Sequence, residues 1–393
     1  MLLNYEVNNF AVFKDNIKFS MKAGRTLSRF EDNVITVHSK MKVSKVAVIV
    51  GENASGKTYF MTSLHFFKYL IQSNDSIRSL TRLCNNYNSK EPQNFKIIVL
   101  VAEKIYTYEL SIDTDSILSE KLSFRGYKSS PIKDIIIFEN NRVTKDLKTE
   151  MSVTANTKFI SKEIKSKLST NENSLFLNKI STLNIKEIEP FINWIKNKLV
   201  VDLPSDVSLN IYKEMEKDEK NIKIIKSNEF LEIFALVDSS IVAIELDERD
   251  PFRETKIIRK KSDGELFSIS LKNDSAGVIE FFAWSVQIWK VIYEDATLFA
   301  DELDKVLNPI LSSRVLAFVK GSEHKGQFVF STHNIFHLNT VDFMKEQIYF
   351  VSKNPENLTS ELYSLGDFKD YRYEKSDVYT LYLKGLLGGV PNE

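Results

Sequence analysis

The octapeptide Gly51-Glu52-Asn53-Ala54-Ser55-Gly56-Lys57-Thr58 has the residue types and the spacing needed to hold a polyphosphate. It fits G-x-x-x-x-G-K-[S/T] and lies between an apolar run and a helical pattern, the setting such a loop requires. Gly51 and Gly56 let backbone N–H groups converge on phosphate oxygens, and the start of the following helix favours the anion. Lys57 neutralises β- and γ-phosphate charge, and Thr58 offers a hydroxyl to Mg2+. Taken out of its surroundings, the same segment is a glycine-rich turn capping a helix.

Three further clusters come much later. TLFADE (297–302) is an apolar strand that delivers Asp301 and Glu302 to its C-terminal end, where open α/β sheets bind ligands. There Asp301 would hold Mg2+ through water, and Glu302 would act as general base on an attacking water. Acids at strand ends are also common loop residues. STHN (331–334) ends the next strand, where His333 could touch the γ-phosphate. His333 and His337 also form an i, i+4 pair, but no HExxH pattern or third metal ligand accompanies them. NDSAG (273–277) opens an apolar helix. Ser275 stands at its N-cap position and Gly277 leaves room for a phosphate; an ordinary serine cap has the same appearance. Ser275, Asp301 and His333 are 26 and 32 residues apart, one helix and strand each, and 244 residues separate Lys57 from Asp301.

The elements that must position these residues are legible in outline. KVAVIV (45–50) is a continuous apolar run that suits a strand buried on both faces. Met61, Leu64, Phe67 and Ile71 then recur at helical spacing. Residues 4–22 read as two short strands, 95–112 as a hairpin about 102–104, and 121–124 and 135–138 as further strands. Together they predict an antiparallel layer beside the phosphate-binding core. Residues 146–245 are richer in Lys, Asn, Ser and Glu, with helical patterns at 183–199 and 229–237 and no sustained heptad. From Ser275 on, helices (278–292 and 309–319) alternate with strands (296–302 and 327–333), the pattern of a parallel α/β sheet.

Composition limits the remaining choices. The chain has 393 residues, 53 basic and 53 acidic, so its net charge is zero. Domains usually hold about 100–200 residues, which predicts two or three units. A hydrophobic content of 43% with 27 Phe and 15 Tyr argues against a disordered tail. The chain is not basic as a whole. Lys256, Arg259, Lys260 and Lys261, with Lys158, Lys162, Lys165 and Lys167, make local basic clusters that read first as solvated faces and second as a duplex DNA contact. A single cysteine, Cys84, excludes a disulfide framework or a Cys-rich zinc site. Neither a signal pattern nor an apolar run of about 18 residues is present, so a soluble cytoplasmic protein without a membrane partner is expected.

The order of these motifs resembles ABC-type ATPases of the RecF/SMC/OLD branch. The resemblance implies that Gly51–Thr58 is the Walker A loop, Ser275–Gly277 the signature motif, Asp301–Glu302 Walker B and His333 the switch histidine. Leu303–Pro309 resembles the D-loop, with Asn308-Pro309 where His-Pro is more usual. NNFAVFKDNIKFSM (8–21) resembles the family's opening. YLKGLLGGVPNE (382–393) resembles the ending of compact bacterial AAA/OLD-like ATPase subunits of abortive-infection and PARIS-like anti-phage systems. The resemblance covers residues 1–145 and 265–393. The signature lacks the second glycine of transporters, and Gln93 is the candidate for the Q-loop glutamine.

What the resemblance implies is an α/β ABC-type P-loop core with an antiparallel β layer and a helical insertion. Residues 1–145 and 263–393 would build the core and 146–262 the mostly helical insertion. ATP with Mg2+ would lie between the Walker motifs of one subunit and the Ser275 region of another, making a homodimer or higher homo-oligomer. With no Toprim nuclease after Pro391 and no coiled-coil arm, the expected role is an anti-phage defence ATPase controlling a separately encoded toxin or nuclease. The rival is a DNA-binding repair or maintenance ATPase. A scaffold that binds nucleotide without turnover is a third reading, against which Glu302 argues.

Overall fold

The computed structural model describes all residues except 25–27, 39, 40, 74, 129–132, 146, 147, 169–171, 204–218, 252, 253, 339, 372, 374–376 and 389–393. The last residues of the 382–393 tail and the segment boundary expected at 146 therefore lie outside the described residues.

In chain order the strands are β1 (Leu2–Asn8), β2 (Ile17–Ser20), β3 (Lys22–Ala23), β4 (Val34–His38), β5 (Met41–Ser44), β6 (Val46–Val50), β7 (Gln93–Val101), β8 (Lys104–Ile112), β9 (Ile117–Gly126), β10 (Ile135–Lys145), β11 (Lys148–Ala155), β12 (Leu199–Asp202), β13 (Ile241–Glu245), β14 (Lys256–Lys260), β15 (Leu266–Ser270), β16 (Thr297–Ala300), β17 (Gln327–Thr332), β18 (Ile348–Lys353) and β19 (Ser360–Ser364). Seven form an antiparallel sheet ordered β11-β10-β9-β8-β7-β1-β2, and six form a central sheet ordered β12-β16-β17-β6-β18-β19. Within the central sheet only β19 runs against its neighbour. The sheets β3-β5-β4 and β13-β14-β15 are smaller. This is the α/β architecture expected, a P-loop core with an antiparallel layer.

β6 is buried along its whole length, as its unbroken apolar run predicts. Side chains alternate across a strand. Ala47 and Ile49 accordingly enter one core, with the helix Lys57–Gln72 and the antiparallel sheet. Val46, Val48 and Val50 enter the other, with the helices Ala276–Tyr293 and Pro309–Gly321. The first core is aromatic: Phe60 and Phe67 of helix 57–72 meet Tyr5 at 6.1 Å between ring centroids. In the second, Phe282 of helix 276–293 meets Phe230 and Phe234 edge-on at 5.3 and 5.2 Å.

Buried polar side chains stitch the layers. Gln327 at the start of β17 accepts from Leu2 N–H of the antiparallel sheet and donates to the Leu2 carbonyl at 3.0 Å. Glu120 of β9 is fully buried and accepts from Tyr108 Oη and from the backbone N–H groups of Phe176 and Leu177, capping the short helix Phe176–Ser181. These bonds satisfy groups that would otherwise be stranded without water.

The hairpin expected at 95–112 is β7–β8, closed by Ala102 and Glu103, both at positive φ as its two-residue turn demands. The helix expected over 183–199 is broken up. Asn184 takes a left-handed φ of 48°, Pro190 stands in the first turn of a helix at Glu189–Asn193, and a π-helical turn follows at Trp194–Lys198. The chain then becomes β12, because Leu199–Val201 pair with β16. The stretch 146–262 thus holds short helices together with β11, β12, β13 and β14. β11 extends the antiparallel sheet and β12 the central one.

Candidate nucleotide site

Four parallel strands end side by side on one edge of the central sheet. β6 ends at Val50, β17 at Thr332, β16 at Ala300 and β12 at Asp202, with Thr332 level with Val50 and Asp202 level with Ala300. The residues that follow are Gly51, His333 and Asp301. Ligands collect at this edge of an open parallel sheet because the chain must turn there and leaves backbone groups unpaired.

Two positions of the loop after β6 leave no room for a side chain. A Cβ on Gly51 would stand 2.4 Å from the Val351 carbonyl and 2.8 Å from Ser55 Oγ. Gly56 caps helix 57–72 with φ 118°, and a Cβ there would meet Val12 at 2.6 Å. Ala54, exposed with Asn53 on the outer turn, also has a positive φ of 60°. Ser55 is buried, and its carbonyl accepts from Ser360 of β19. Lys57 is buried; its ammonium donates to the carbonyls of Gly51 and Glu52 at 2.8 and 3.0 Å. Burial lowers the Lys57 pKa, while Asp301, Glu302, Asp304 and Glu52 pull it back. Thr58 is exposed on the first helical turn.

Asp301 is only 6% exposed. Its Oδ1 accepts from Ser331 Oγ, and its Oδ2 is buried with no hydrogen-bond partner among the described residues. A bare buried carboxylate oxygen suits a hydrated cation, so Asp301 with Thr58 fits Mg2+ bound with a nucleotide. No group of three or more His, Cys, Asp or Glu able to hold a metal occurs among the described residues. Such an ion would need phosphate oxygens to complete its shell. Glu302 is half-buried in a left-handed conformation, φ 52° and ψ 55°. A non-glycine residue held there carries strain, a condition common at functional sites. Its N–H donates to Ser331 Oγ at 2.8 Å, and its Oε1 lies 3.8 Å from Nε2 of His333. The backbone N–H of His333 donates in turn to Asp304 at 3.1 Å. Lys57, Asp301, Glu302 and His333 are therefore gathered at one sheet edge.

His337 does not share in this. It is buried, its Nε2 lies 3.2 Å from Ser312 Oγ, and burial lowers its pKa. Gln93, the candidate for the Q-loop glutamine, is fully buried at the start of β7; its NH2 group donates to the carbonyls of Asn9 and Leu83, both at 2.7 Å, and its Oε1 has no hydrogen-bond partner among the described residues.

Ser275 and Gly277 face elsewhere. Both are exposed at the start of helix 276–293, and a Cβ on Gly277 would meet nothing within 4 Å. The Ser275 side chain makes no capping bond, and its N–H donates to Asp274 at 2.8 Å. They line a hollow of about 380 Å³ with Arg259, Asp274 and Asn308 rather than the P-loop. Asn308 accepts from the N–H groups of Ile310 and Leu311, capping the helix 309–321 that Pro309 begins.

The basic cluster on β14 is largely neutralised. Arg259 donates to Asp238 at 2.9 Å and pairs with Asp274 at 2.7 Å, Lys256 pairs with Glu245 at 3.7 Å and Lys261 with Glu265 at 2.5 Å. Lys158, Lys162 and Lys165 are exposed, and the side chain of Lys167 lies outside the described residues.

Three residues of this edge escaped the sequence reading in their roles. Ser331 bridges Asp301 and Glu302; Asp304 holds His333; and Asp202 stands beside Asp301, whose N–H donates to the Asp202 carbonyl at 3.0 Å. Burial and then the Asp301 charge push the Asp202 carboxyl up to about 7. An apolar run ending in an acid, LVVD as in TLFAD, was the available signal for Asp202.

Among the described residues no helix is long and apolar enough to cross a membrane. No curated protein matches the sequence. Similar solved structures include an SMC head bound to the C-terminal winged-helix domain of ScpA, at 15% identity and TM-score 0.47 over 92% of this chain and 97% of that one. The SMC head domain from Thermotoga maritima gives 12% and 0.45 over 92% and 98%. An SMC head with an extended coiled coil, bound to the C-terminal domain of ScpA derived from Pyrococcus furiosus, gives 15% and 0.44 over 98% and 99%. The sequence model of one family matches residues 46–339, from β6 through the last of the site residues, and the chain belongs to that family, described as AAA domain, putative AbiEii toxin, Type IV TA system.

Proposed function

We propose that this chain is an ABC-type switch ATPase that binds ATP with Mg2+, hydrolyses ATP to ADP and phosphate, and pairs with a second copy of itself while ATP is bound. The observation that carries this reading is the convergence of Lys57, Asp301, Glu302 and His333 at adjacent strand ends. The N–H groups of residues 51–58 and Lys57 cradle the phosphates, and Thr58 and Asp301 would hold Mg2+. Bound there, the ion neutralises phosphate charge. Glu302 takes the proton of the attacking water as the terminal phosphoryl group leaves for it. His333, 3.8 Å from Glu302, is placed to contact that group.

Ser275 and Gly277 serve the partner copy. One helix start cannot neutralise a triphosphate, and a second, open to solvent, completes its shell. Residues 1–145 and 263–393 form the ATPase core in this reading, with 146–262 between them lending β12 to the sheet. The family's description, which names a toxin and a toxin–antitoxin system, supports a toxin-linked role, and the resemblance of the motifs to anti-phage ATPase subunits suggests defence as its setting. The chain would act in the cytoplasm as the sensor or regulatory subunit of a separately encoded toxin or nuclease. The ion-paired state of β14 weighs against the alternative of a DNA-binding repair ATPase.

The test is the native mass of Glu302→Gln with and without ATP and Mg2+. The amide keeps the shape of the acid and slows hydrolysis. Doubling of mass only with ATP supports the switch. A monomer under both conditions refutes it, and an assembly indifferent to ATP moves the oligomer interface elsewhere.

A further inference from the structure

The hollow in front of Ser275 and Gly277 is guarded by an acid. Among the described residues lining it, Arg259 is the one cation, against Asp238 and Asp274. Asp274 links the cation to the helix start: its Oδ1 accepts the Ser275 N–H at 2.8 Å, and its Oδ2 lies 2.7 Å from Arg259 Nη2. One carboxylate thus holds both donors that an anion arriving at this helix start would use. The guanidinium fork fits carboxylate and phosphate oxygens alike. A triphosphate presented to Ser275 would meet the Asp274 charge first and be repelled by it.

Arg259 does not depend on Asp274 for its orientation. It sits on β14, the middle strand of its sheet, paired with Ile241 on one side and Phe267 on the other. Its Nε donates to Asp238 at 2.9 Å, and Asp238 in turn accepts the Ser240 N–H at 2.9 Å. The Nη2 end can therefore change partners while the Nε end stays anchored. The Arg259 and Asp274 side chains are only 15% and 10% exposed, so water screens their pairing weakly.

We infer that Asp274 is an internal stand-in for the terminal phosphate of the partner copy's nucleotide, and that Arg259 passes from Asp274 to that phosphate when two copies pair. The inference rests on the proposed ATP-driven pairing. Displacing one carboxylate frees the Ser275 N–H and Arg259 together, because both are tied to it. The acid is then a brake on pairing. Only an incoming anion repays its displacement, so copies without ATP stay apart.

The experiment is the native mass of the full chain in the Glu302→Gln background, followed over ATP concentration with Mg2+. Asp274→Asn should reach half-maximal pairing at about fivefold less ATP, the lower end of what coupled equilibria show. The amide can still accept the Ser275 N–H, so the helix start keeps that bond. Arg259→Gln should need at least about tenfold more ATP, as loss of one member of a charge pair at an interface does. That change strands Asp238 and Asp274, so the deciding measurement is the double variant Arg259→Gln/Asp274→Asn. If Arg259 merely neutralises Asp274, the double variant pairs at the ATP concentration the background chain needs, and the assignment is overturned. If Arg259 takes the phosphate, pairing stays impaired. An Asp274→Asn chain that needs as much ATP as the background chain would also overturn the brake. Absence of ATP-driven pairing in Glu302→Gln itself would overturn the switch reading instead.

Discussion

The hydroxyl of Ser331 donates to the carboxylate of Asp301 across two parallel strands. The same oxygen accepts the N–H of Glu302 at 2.8 Å, so one side chain fixes both acids. Ser331→Ala strips a buried carboxylate of a donor, which costs about 1.5–3 kcal/mol for a charged partner. Urea unfolding should show a loss in that range. Glu302, no longer tethered in its left-handed conformation, should give slower ATP turnover with little change in nucleotide affinity. A variant as stable and as active as the parent would refute the bridging role.

Gly51 and Gly277 should respond in opposite ways to alanine. At Gly51 a methyl collides with the Val351 carbonyl at 2.4 Å, and the backbone must move. Overpacking of this kind costs about 1–3 kcal/mol. Gly51→Ala should lower the melting temperature and abolish binding of a fluorescent ATP analogue.

At Gly277 the methyl meets open space. Alanine is favoured over glycine in a helix by up to about 1 kcal/mol, so Gly277→Ala should keep or raise the melting temperature. Because this face is reserved for the partner's nucleotide in the proposed switch, the same change in a Glu302→Gln background should weaken ATP-driven pairing. Native mass at several protein concentrations measures it. Unimpaired pairing would remove Gly277 from the interface.

Glu120 should give a pH signature unrelated to the site. Burial, the leading cause, raises its pKa from 4.5 to about 6, against the three hydrogen bonds it accepts. Between these two values the folded chain holds a proton that the unfolded chain releases. Stability from this group therefore falls as pH rises through that window, by about 2 kcal/mol, and is regained on acidification. Denaturant titrations at pH 4.5 and 7 should show that increment in the parent and not in Glu120→Gln. Equal slopes in the two would refute it.

Much of the site was legible because phosphate binding needs fixed residue types at fixed spacing, and because β6, β16 and β17 are apolar runs ending in polar residues. Asp202 was hidden by brevity. LVVD spans four residues behind a helical pattern, and only pairing with β16 decides that it is a strand. The β13-β14-β15 sheet was obscured in the same way by its charged, alternating composition. Ser331 looks like any strand-end serine until Asp301 is seen across from it.

The place of β6 between β17 and β18 has a consequence during synthesis. Val50 pairs with Thr332 and Phe350, roughly 280–300 positions later, and Gly51 is confined by the Val351 carbonyl. At about 5–20 residues per second the strand VAVIV waits on the order of 15–60 s for its flanking partners to emerge from the ribosome. Through that interval the face of Val46, Val48 and Val50 lacks the later helices 276–293 and 309–321 that cover it. A nascent chain halted before β18 should capture no ATP, so the nucleotide loop, though translated early, is among the last parts of the chain to mature.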